Sequence, residues 1–395
     1  MTRMAVGSSD DVDGADAAHA ALDRAVDQLA GLAPRAAVVF CGAGLDTQAV
    51  LGVLASRLPG VPLVGGTTLA EISVQTGAAE GSLVVVLFAG HSLEAAAVAF
   101  DLPLPDGGAD ASGLALAGQQ AVEQAAASLP SPPRLCLCFG FHPWGSSDLH
   151  STVLQALGPE VPVFGGGVIG RMAPDMHGEA FFGERRLSPG AAVLLLSGDI
   201  QVTHAVTHGF QPVGEPHTIT RALRGGALLE VDGKPALDFY LSHFGVSGGT
   251  GAMFVHHPLL VETGDGYLLR GAIAEGPVPG SMALAGEVAE GSRMQLCEFD
   301  REGLLAATRT AMDQAMAQWR GPPPAGVLVF ECLTRWYALG TWAPRSLDRL
   351  RESAPAGTAI AGAYMGGEFA PFAQGQRGQL HNCSVVALLI GSAPA

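Results

Sequence analysis

Lysine is all but missing from this sequence: Lys234 is the only one in 395 residues, and charged side chains of both signs make up 15% of the chain. The 21 basic residues, nearly all arginine, face 37 acidic ones, leaving a formal net charge of −16. A field of that sign repels phosphate backbones, which argues against nucleic acid and anionic membrane surfaces as partners. No GxxxxGK[ST] loop occurs, so a P-loop nucleotide site is excluded. GGG at 165–167 follows an apolar strand-like run, but the helix and acidic residue of a dinucleotide fingerprint do not follow it. G-x-S-x-G occurs as GVSGG (245–249), but it follows the helix-like run PALDFYLSHF and not the strand that a nucleophile elbow needs. The six cysteines (41, 136, 138, 297, 332, 383) contain no CxxC pair, which removes the usual zinc and disulfide-framework spacings. Cys136 and Cys138 alternate along one run and read as core thiols on one strand face. No uncharged apolar run approaches the roughly 20 residues of a membrane-spanning helix. Residues 1–16 have no apolar signal-peptide centre and read as a flexible acidic leader. The protein is expected in the cytoplasm.

What the sequence has in quantity is apolar material: 48% hydrophobic residues and a mean hydropathy of +0.31. That is enough for sizeable buried sheets, and the length calls for two domains. One order of elements occurs three times. AAVVFCG (36–42), QAVLGVLASRL (48–58), VPLVGGTTLAEIS (61–73) and SLVVVLFAG make the first copy. RLCLCFG (134–140), SDLHSTVLQAL (147–157), VPVFGGGVIGR (161–171) and AAVLLLSG (191–198) make the second. GVLVFEC (326–332), RSLDRLRES (345–353), TAIAGAYMGGEFAP (358–371) and SVVALLIG (384–391) make the third. Each reads as strand, helix, short glycine-ended strand, strand. With Gly65, Gly165 and Gly362 in register, one position carries Glu71, Arg171 and Glu368. Glycines at strand ends permit positive φ and close backbone approach, so a charge set there can meet a ligand on a short arm. The same pattern also fits plain chain reversal, with the glutamates capping or solvated.

Between copies two and three, residues 199–300 alternate and carry many turn signals, reading as antiparallel hairpins interrupted by the helix PALDFYLSHF (235–244). The expected fold is α/β of mixed α+β type: two domains with mixed sheets flanked by helices, divided as 17–210 and 211–395.

Laid out this way, the chain resembles the FIST family over about residues 20–391. GGTTLAEI (65–72) is similar to the family's G-C-S-T-x-G-E-I, keeping Gly65, Thr68, Glu71 and Ile72. GFQPVG (209–214) and VDGKPALDFY (231–240) resemble G-x-x-P-x-G and D-G-K-P-A-x-x-x-Y. FECLTR (330–335) resembles F-S-C-x-x-R with Glu331 at the serine; GAYMGGEF resembles G-x-Y-x-x-G-E-I; HNCS (381–384) resembles H-N-Q-T with its last two residues changed. The resemblance implies a bacterial sensory module that binds a small molecule, with amino acids or their derivatives proposed. It also implies, for some stand-alone members, a noncovalent heme that senses nitric oxide and regulates a histidine kinase. No kinase or cyclase segment stands beside the two domains, so signalling is expected through a partner, a histidine kinase or a cyclic-dinucleotide enzyme.

The ligand set expected on this reading is Thr67, Thr68, Glu71, Arg171, Cys332, Arg335, Tyr364, Glu368, His381 and Asn382. A zwitterion needs a carboxylate for its ammonium and a guanidinium for its carboxylate, which Glu71 or Glu368 with Arg335 would supply. Arg335 paired with a glutamate as a purely structural bridge is the other reading of the same residues. Heme would need an axial histidine, with His208 and His204 in THAVTHG the candidates. A third reading is an enzyme on an amino-acid-like metabolite, with Glu71 and Glu368 transferring protons.

Overall fold

The computed structural model describes residues 1–102, 111–142, 147–170, 177–245, 256–264 and 266–394. The first repeat runs β1 (Arg3–Ser9), α1 (Gly14–Gln28), β2 (Pro34–Gly42), α2 (Thr47–Arg57), β3 (Leu63–Thr68), β4 (Ala70–Ser73), β5 (Gly77–Ala79) and β6 (Leu83–Ala89). The second repeats the order with β7 (Leu93–Asp101), α3 (Ala111–Ala127), β8 (Leu135–Phe141), α4 (Ser147–Leu157), β9 (Val163–Gly167), β10 (Ala180–Phe182), β11 (Arg185–Leu187) and β12 (Gly190–Gly198). The third opens with β13 (Gln201–Thr207), after which an inserted module intervenes. It comprises β14 (Gln211–Leu223), β15 (Ala227–Val231), β16 (Lys234–Pro235), the helix Ala236–His243, β17 (Leu259–Thr263), β18 (Gly266–Arg270), β19 (Ala272–Glu275), β20 (Met282–Leu284) and β21 (Arg293–Glu298). The repeat then resumes with the helix Arg301–Gln318, β22 (Gly326–Cys332), helices Leu333–Leu339 and Arg345–Ser353, β23 (Ala359–Met365), β24 (Glu368–Pro371), β25 (Gly378–His381) and β26 (Val385–Gly391).

Residues 1–16 are not the flexible leader that their composition suggested. Arg3–Ser9 pairs along its whole length with β6, from Arg3 opposite Ala89 to Ser9 opposite Leu83. The acidic run that follows caps a helix: Asp13 accepts from the backbone N–H groups of Ala15 and Asp16. That satisfies donors the first turn of α1 would otherwise leave open.

The three repeats build three six-stranded sheets of identical order: β1-β6-β2-β3-β10-β11, β7-β12-β8-β9-β24-β25 and β13-β26-β22-β23-β4-β5. The last two strands of every sheet come from another repeat, in a closed cycle. Repeat two lends β10–β11 to repeat one, repeat three lends β24–β25 to repeat two, and repeat one lends β4–β5 to repeat three. Three backbone bonds mark the crossings: Ile169 N–H to Thr67 O (2.9 Å), Gly366 N–H to Gly167 O (2.8 Å) and Leu69 N–H to Tyr364 O (3.1 Å). Each repeat's glycine-ended strand pairs in parallel with the strand before it, β2 with β3, β8 with β9 and β22 with β23. Parallel pairing buries both faces, as the near-continuous apolar runs require.

One face of each sheet turns to a common centre, where equivalent residues Phe40, Phe139 and Phe330 meet with ring centroids 5.8–6.3 Å apart, Phe40 edge to face with the other two and those two tilted against each other. The other face of each is covered by its own helices. The inserted module is an antiparallel sheet of eight strands among the described residues. Its residues Phe210, Leu269 and Cys297 pack with Leu304, Leu339 and Cys383 of the third repeat.

Candidate functional site

Gly65, Gly165 and Gly362 occupy equivalent places for a steric reason. A Cβ on them would lie 1.9, 2.0 and 1.9 Å from the carbonyl oxygens of Val39, Cys138 and Val329 on the parallel neighbour. These glycines let two backbones close; the space beside them holds protein, not ligand. The chain then crosses to the next sheet, and six residues on from Gly65 and Gly362 stand Glu71 and Glu368. Both are fully buried. Arg171, the counterpart in the second repeat, lies outside the described residues.

The two carboxyls sit in matching junctions. Glu71 Oε2 accepts from the backbone N–H and hydroxyl of Ser82, both at 2.8 Å, and Thr68 donates to Oε1 at 2.6 Å. Burial outweighs these donors and pushes its pKa up to about 8. Glu368 Oε2 accepts from the Ser384 hydroxyl at 2.6 Å and, at 3.4 Å, its N–H. Its Oε1 has no nitrogen or oxygen partner among the described residues, and the Cys332 thiol is a polar neighbour of the carboxyl. Burial holds Glu368 well above the ordinary carboxylate range. Ser82 and Ser384 went unnoticed in the sequence, although each immediately precedes the closing strand of its repeat.

The two carboxyls belong to different sheets: Glu71 is opposite Ala363 of β23, Glu368 opposite Gly166 of β9. Around Glu368 the structure gathers several expected residues. His381 is its direct cross-strand partner; its Nε2 bonds the Ala370 carbonyl at 3.0 Å. Burial lowers its pKa to about 3, so the ring is neutral. Asn382 donates Nδ2 to the His381 carbonyl at 2.9 Å, while its Oδ1, also buried, has no partner among the described residues. Arg270 of the inserted module, itself buried, bonds the Leu380 carbonyl at 3.0 Å and the Glu287 carbonyl at 2.9 Å. This junction is thus roofed by the module.

Thr67 instead fastens β10 to β3, exchanging bonds with Glu179: its N–H donates to the Glu179 carbonyl and its hydroxyl accepts from the Glu179 N–H, each at 2.9 Å. Arg335 is committed elsewhere as well. Fully buried, it donates to Glu331 at 2.8 Å, to the His208 carbonyl at 2.5 Å, to the Leu304 carbonyl at 2.9 Å and to Thr308 at 2.8 Å. Its partner is therefore Glu331, the residue standing where the family pattern has serine, and neither Glu71 nor Glu368. Tyr364 is buried against the same group, its phenol pushed well above its ordinary pKa by burial and then by Glu331. This is an internal brace rather than a guanidinium offered to a ligand.

The two candidate heme histidines do not fit that role. His204 is buried with Nε2 on the Pro371 carbonyl at 2.9 Å and its ring edge-on to Phe164. Carbonyls only accept, so the proton is on Nε2. His208 Nδ1 accepts from the Phe210 N–H at 3.1 Å, which again places the neutral ring's proton on Nε2. Among the described residues no group of three or more His, Cys, Asp or Glu side chains is placed to hold a metal ion. No described helix is long and apolar enough to cross a membrane.

Comparison with known proteins matches the FIST N domain model to residues 35–234 and the FIST C domain model to residues 236–371. An uncharacterized protein of Mycobacterium bovis is 27% identical over 389 residues, covering 94% of this chain and 95% of its own length. An uncharacterized protein of Mycobacterium tuberculosis is 28% identical over 197 residues, 47% of this chain, and the match spans about half (50%) of that relative's length. Among solved structures, a cyanuric acid hydrolase from A. caulinodans aligns over 100% of both chains at 13% identity with a TM-score of 0.32, an overlap that carries no argument about activity. FIST domains are linked to sensory signal transduction.

Proposed function

The chain belongs to the FIST family, with its N and C domains in order, and from that premise we propose a sensory protein that binds an ammonium-bearing metabolite, an amino acid or close relative. One observation carries this: two buried oxygens in one junction, Glu368 Oε1 and Asn382 Oδ1, have no nitrogen or oxygen hydrogen-bond partner among the described residues, the Cys332 thiol being the polar neighbour of the Glu368 carboxyl. Unpaired buried acceptors are costly, of order 1–3 kcal/mol each. An ammonium brings three donors and a positive charge, and so answers both the missing bonds and the carboxyl's unfavourable ionisation. Arg270, held on the Leu380 carbonyl of the same turn, is the guanidinium for a ligand carboxylate. The inserted module that supplies Arg270 is joined to the core through the same junction, so ligand contact on both would shift their relation and give a partner kinase or cyclic-dinucleotide enzyme something to read.

The test is calorimetry against a panel of amino acids, simple amines and their N-trimethylated counterparts. Binding is expected for primary ammonium ligands, at least tenfold weaker for the trimethylated forms, and accompanied by proton release because Glu368 must ionise. Glu368→Gln, isosteric with the neutral carboxyl, should fold normally and lose at least tenfold in affinity. Equal affinity of the variant, or binding without proton release, would sink the assignment. Product formation from a bound metabolite would move the reading to an enzyme.

A further inference from the structure

The third junction differs from the first by a paired exchange of residues. In repeat one, Gly42 ends β2 and donates its N–H to the Ser82 carbonyl; in repeat three, Cys332 ends β22 and donates to the Ser384 carbonyl. The residue before each serine is then Gly81 in one and Cys383 in the other. Gly42 and Gly81 touch: a Cβ on Gly42 would stand 2.5 Å from the Gly81 Cα. Where repeat one has two glycines in contact, repeat three has two cysteines. The two side chains are neighbours as well: burial first, and then Cys383 beside it, hold the Cys332 thiol well above its ordinary pKa.

The exchange is not neutral for the backbone. Gly81 takes φ +75°, the left-handed region where glycine is at no disadvantage, and Cys383 takes φ +57° in the same place. A residue with a Cβ is disfavoured there, because the Cβ crowds the following carbonyl oxygen. Repeat two solves the same position with Phe141 and Gly190 opposite each other and Pro189 beside them, and has no thiol. A pair of cysteines standing where another repeat has two glycines in contact, one of them held against local preference, calls for a shared role. Cys383 is also the residue standing where the family pattern has glutamine.

We propose that Cys332 and Cys383 are a redox-active dithiol that closes to a disulfide, tying the end of β22 to the turn before β26 beneath the inserted module. A small peroxide is the oxidant. The Cys332 sulfur attacks the O–O bond of hydrogen peroxide to form a sulfenic acid, and the thiol proton passes to the departing hydroxide, which leaves as water. The Cys383 thiol then displaces a second water from the sulfenic sulfur. The net reaction is two thiols and one hydrogen peroxide giving one disulfide and two waters. Both thiols are buried, and Cys383 packs with Phe210 and Leu269 of the inserted module. Oxidation is therefore gated by opening of that seam. Cys41, Cys136, Cys138 and Cys297 are also buried free thiols and serve as internal controls. Cys136 and Cys138, two apart on one strand, are poorly placed to pair with each other.

The full-length protein would be treated with hydrogen peroxide, alkylated in denaturant, digested and mapped by mass spectrometry. Alkylatable thiols should fall from six by one pair, with a single cross-linked peptide joining Cys332 to Cys383 that dithiothreitol releases. Cys383→Gly, which restores the residue of repeat one, should fold and leave Cys332 as a dimedone-reactive sulfenic acid. Six alkylatable thiols after treatment, a link between other cysteines, or sulfinic acid at Cys332 without a link would each overturn the proposal. The wild-type map decides the matter even if the variant fails to fold, and no metabolite is needed.

Discussion

Glu71 makes stability depend on pH in a direction unusual for a carboxylate. In the unfolded chain it titrates near ~4.3, whereas in the fold it titrates at about 8. Between these values the native state holds a proton that the unfolded chain has released, so stability falls as pH rises through that window. The slope contributed by one proton is at most about 1.4 kcal/mol per pH unit. His381 and His150, both lowered to about 3 by burial, act the other way: below ~6.5 the unfolded chain binds protons that the fold refuses. Urea midpoints should therefore drop on both the acid and the alkaline side, and Glu71→Gln should make the alkaline limb shallower, leaving the acid limb and the share of Glu368, which burial also raises, in place. An unchanged limb in that variant would refute the buried-acid assignment. Arg335 argues a second prediction. Arg335→Met leaves Glu331 buried without its cation and should lose about 3–5 kcal/mol in urea unfolding, most of it regained when Glu331→Met is added. No recovery in the double variant would show that packing, not charge, is what Arg335 supplies.

At the scale of elements, the repeated order of strands and helices was legible because each strand is apolar on both faces and each glycine-ended strand has the same neighbours. The family motifs likewise pointed to Glu71 and Glu368. The exchange of β4–β5, β10–β11 and β24–β25 between sheets was not legible, since strand partners are fixed by register and tertiary fit, neither of which leaves a local pattern. The same holds for residues 1–16: SSDDVDGAD looks solvated, but Arg3–Ser9 is a paired strand and Asp13 a helix cap. Arg335 was legible as important, with ligand contact and a structural bridge to a glutamate both open, because nothing in sequence says which glutamate meets it. Gly362 tests the close approach of parallel strands directly. Gly362→Ala forces a Cβ to within 1.9 Å of the Val329 carbonyl and should lose at least about 3 kcal/mol or fail to fold. Gly52→Ala, on α2 with nothing within 4 Å of its added Cβ, should gain about 0.5–1 kcal/mol. Circular dichroism melts of the two variants side by side separate steric need from generic glycine flexibility.

For the whole molecule, the cyclic loan of strand pairs means that no repeat completes its own sheet. The FIST N and FIST C segments are distinct along the chain, but β4 hydrogen-bonds β23 and β24 hydrogen-bonds β9, so each segment finishes a sheet of the other. The centre repeats the point in side chains, with one phenylalanine from every repeat in a single contact cluster. Folding should then be one cooperative event across the three repeats. Phe330→Ala should destabilise by about 3–5 kcal/mol and lower protection of β2 and β8 amides in hydrogen exchange as much as that of β22. A fragment ending at residue 198 would expose β4–β5 with no sheet to join and leave β9 without β24. Expressed alone it should aggregate or remain unfolded, and co-expressed with residues 199–395 it should assemble into a complex with the melting profile of the intact chain. A fragment 1–198 that purifies as a monomer with its own cooperative melt would show that repeats one and two suffice, and that the exchange with repeat three is an addition to a finished fold.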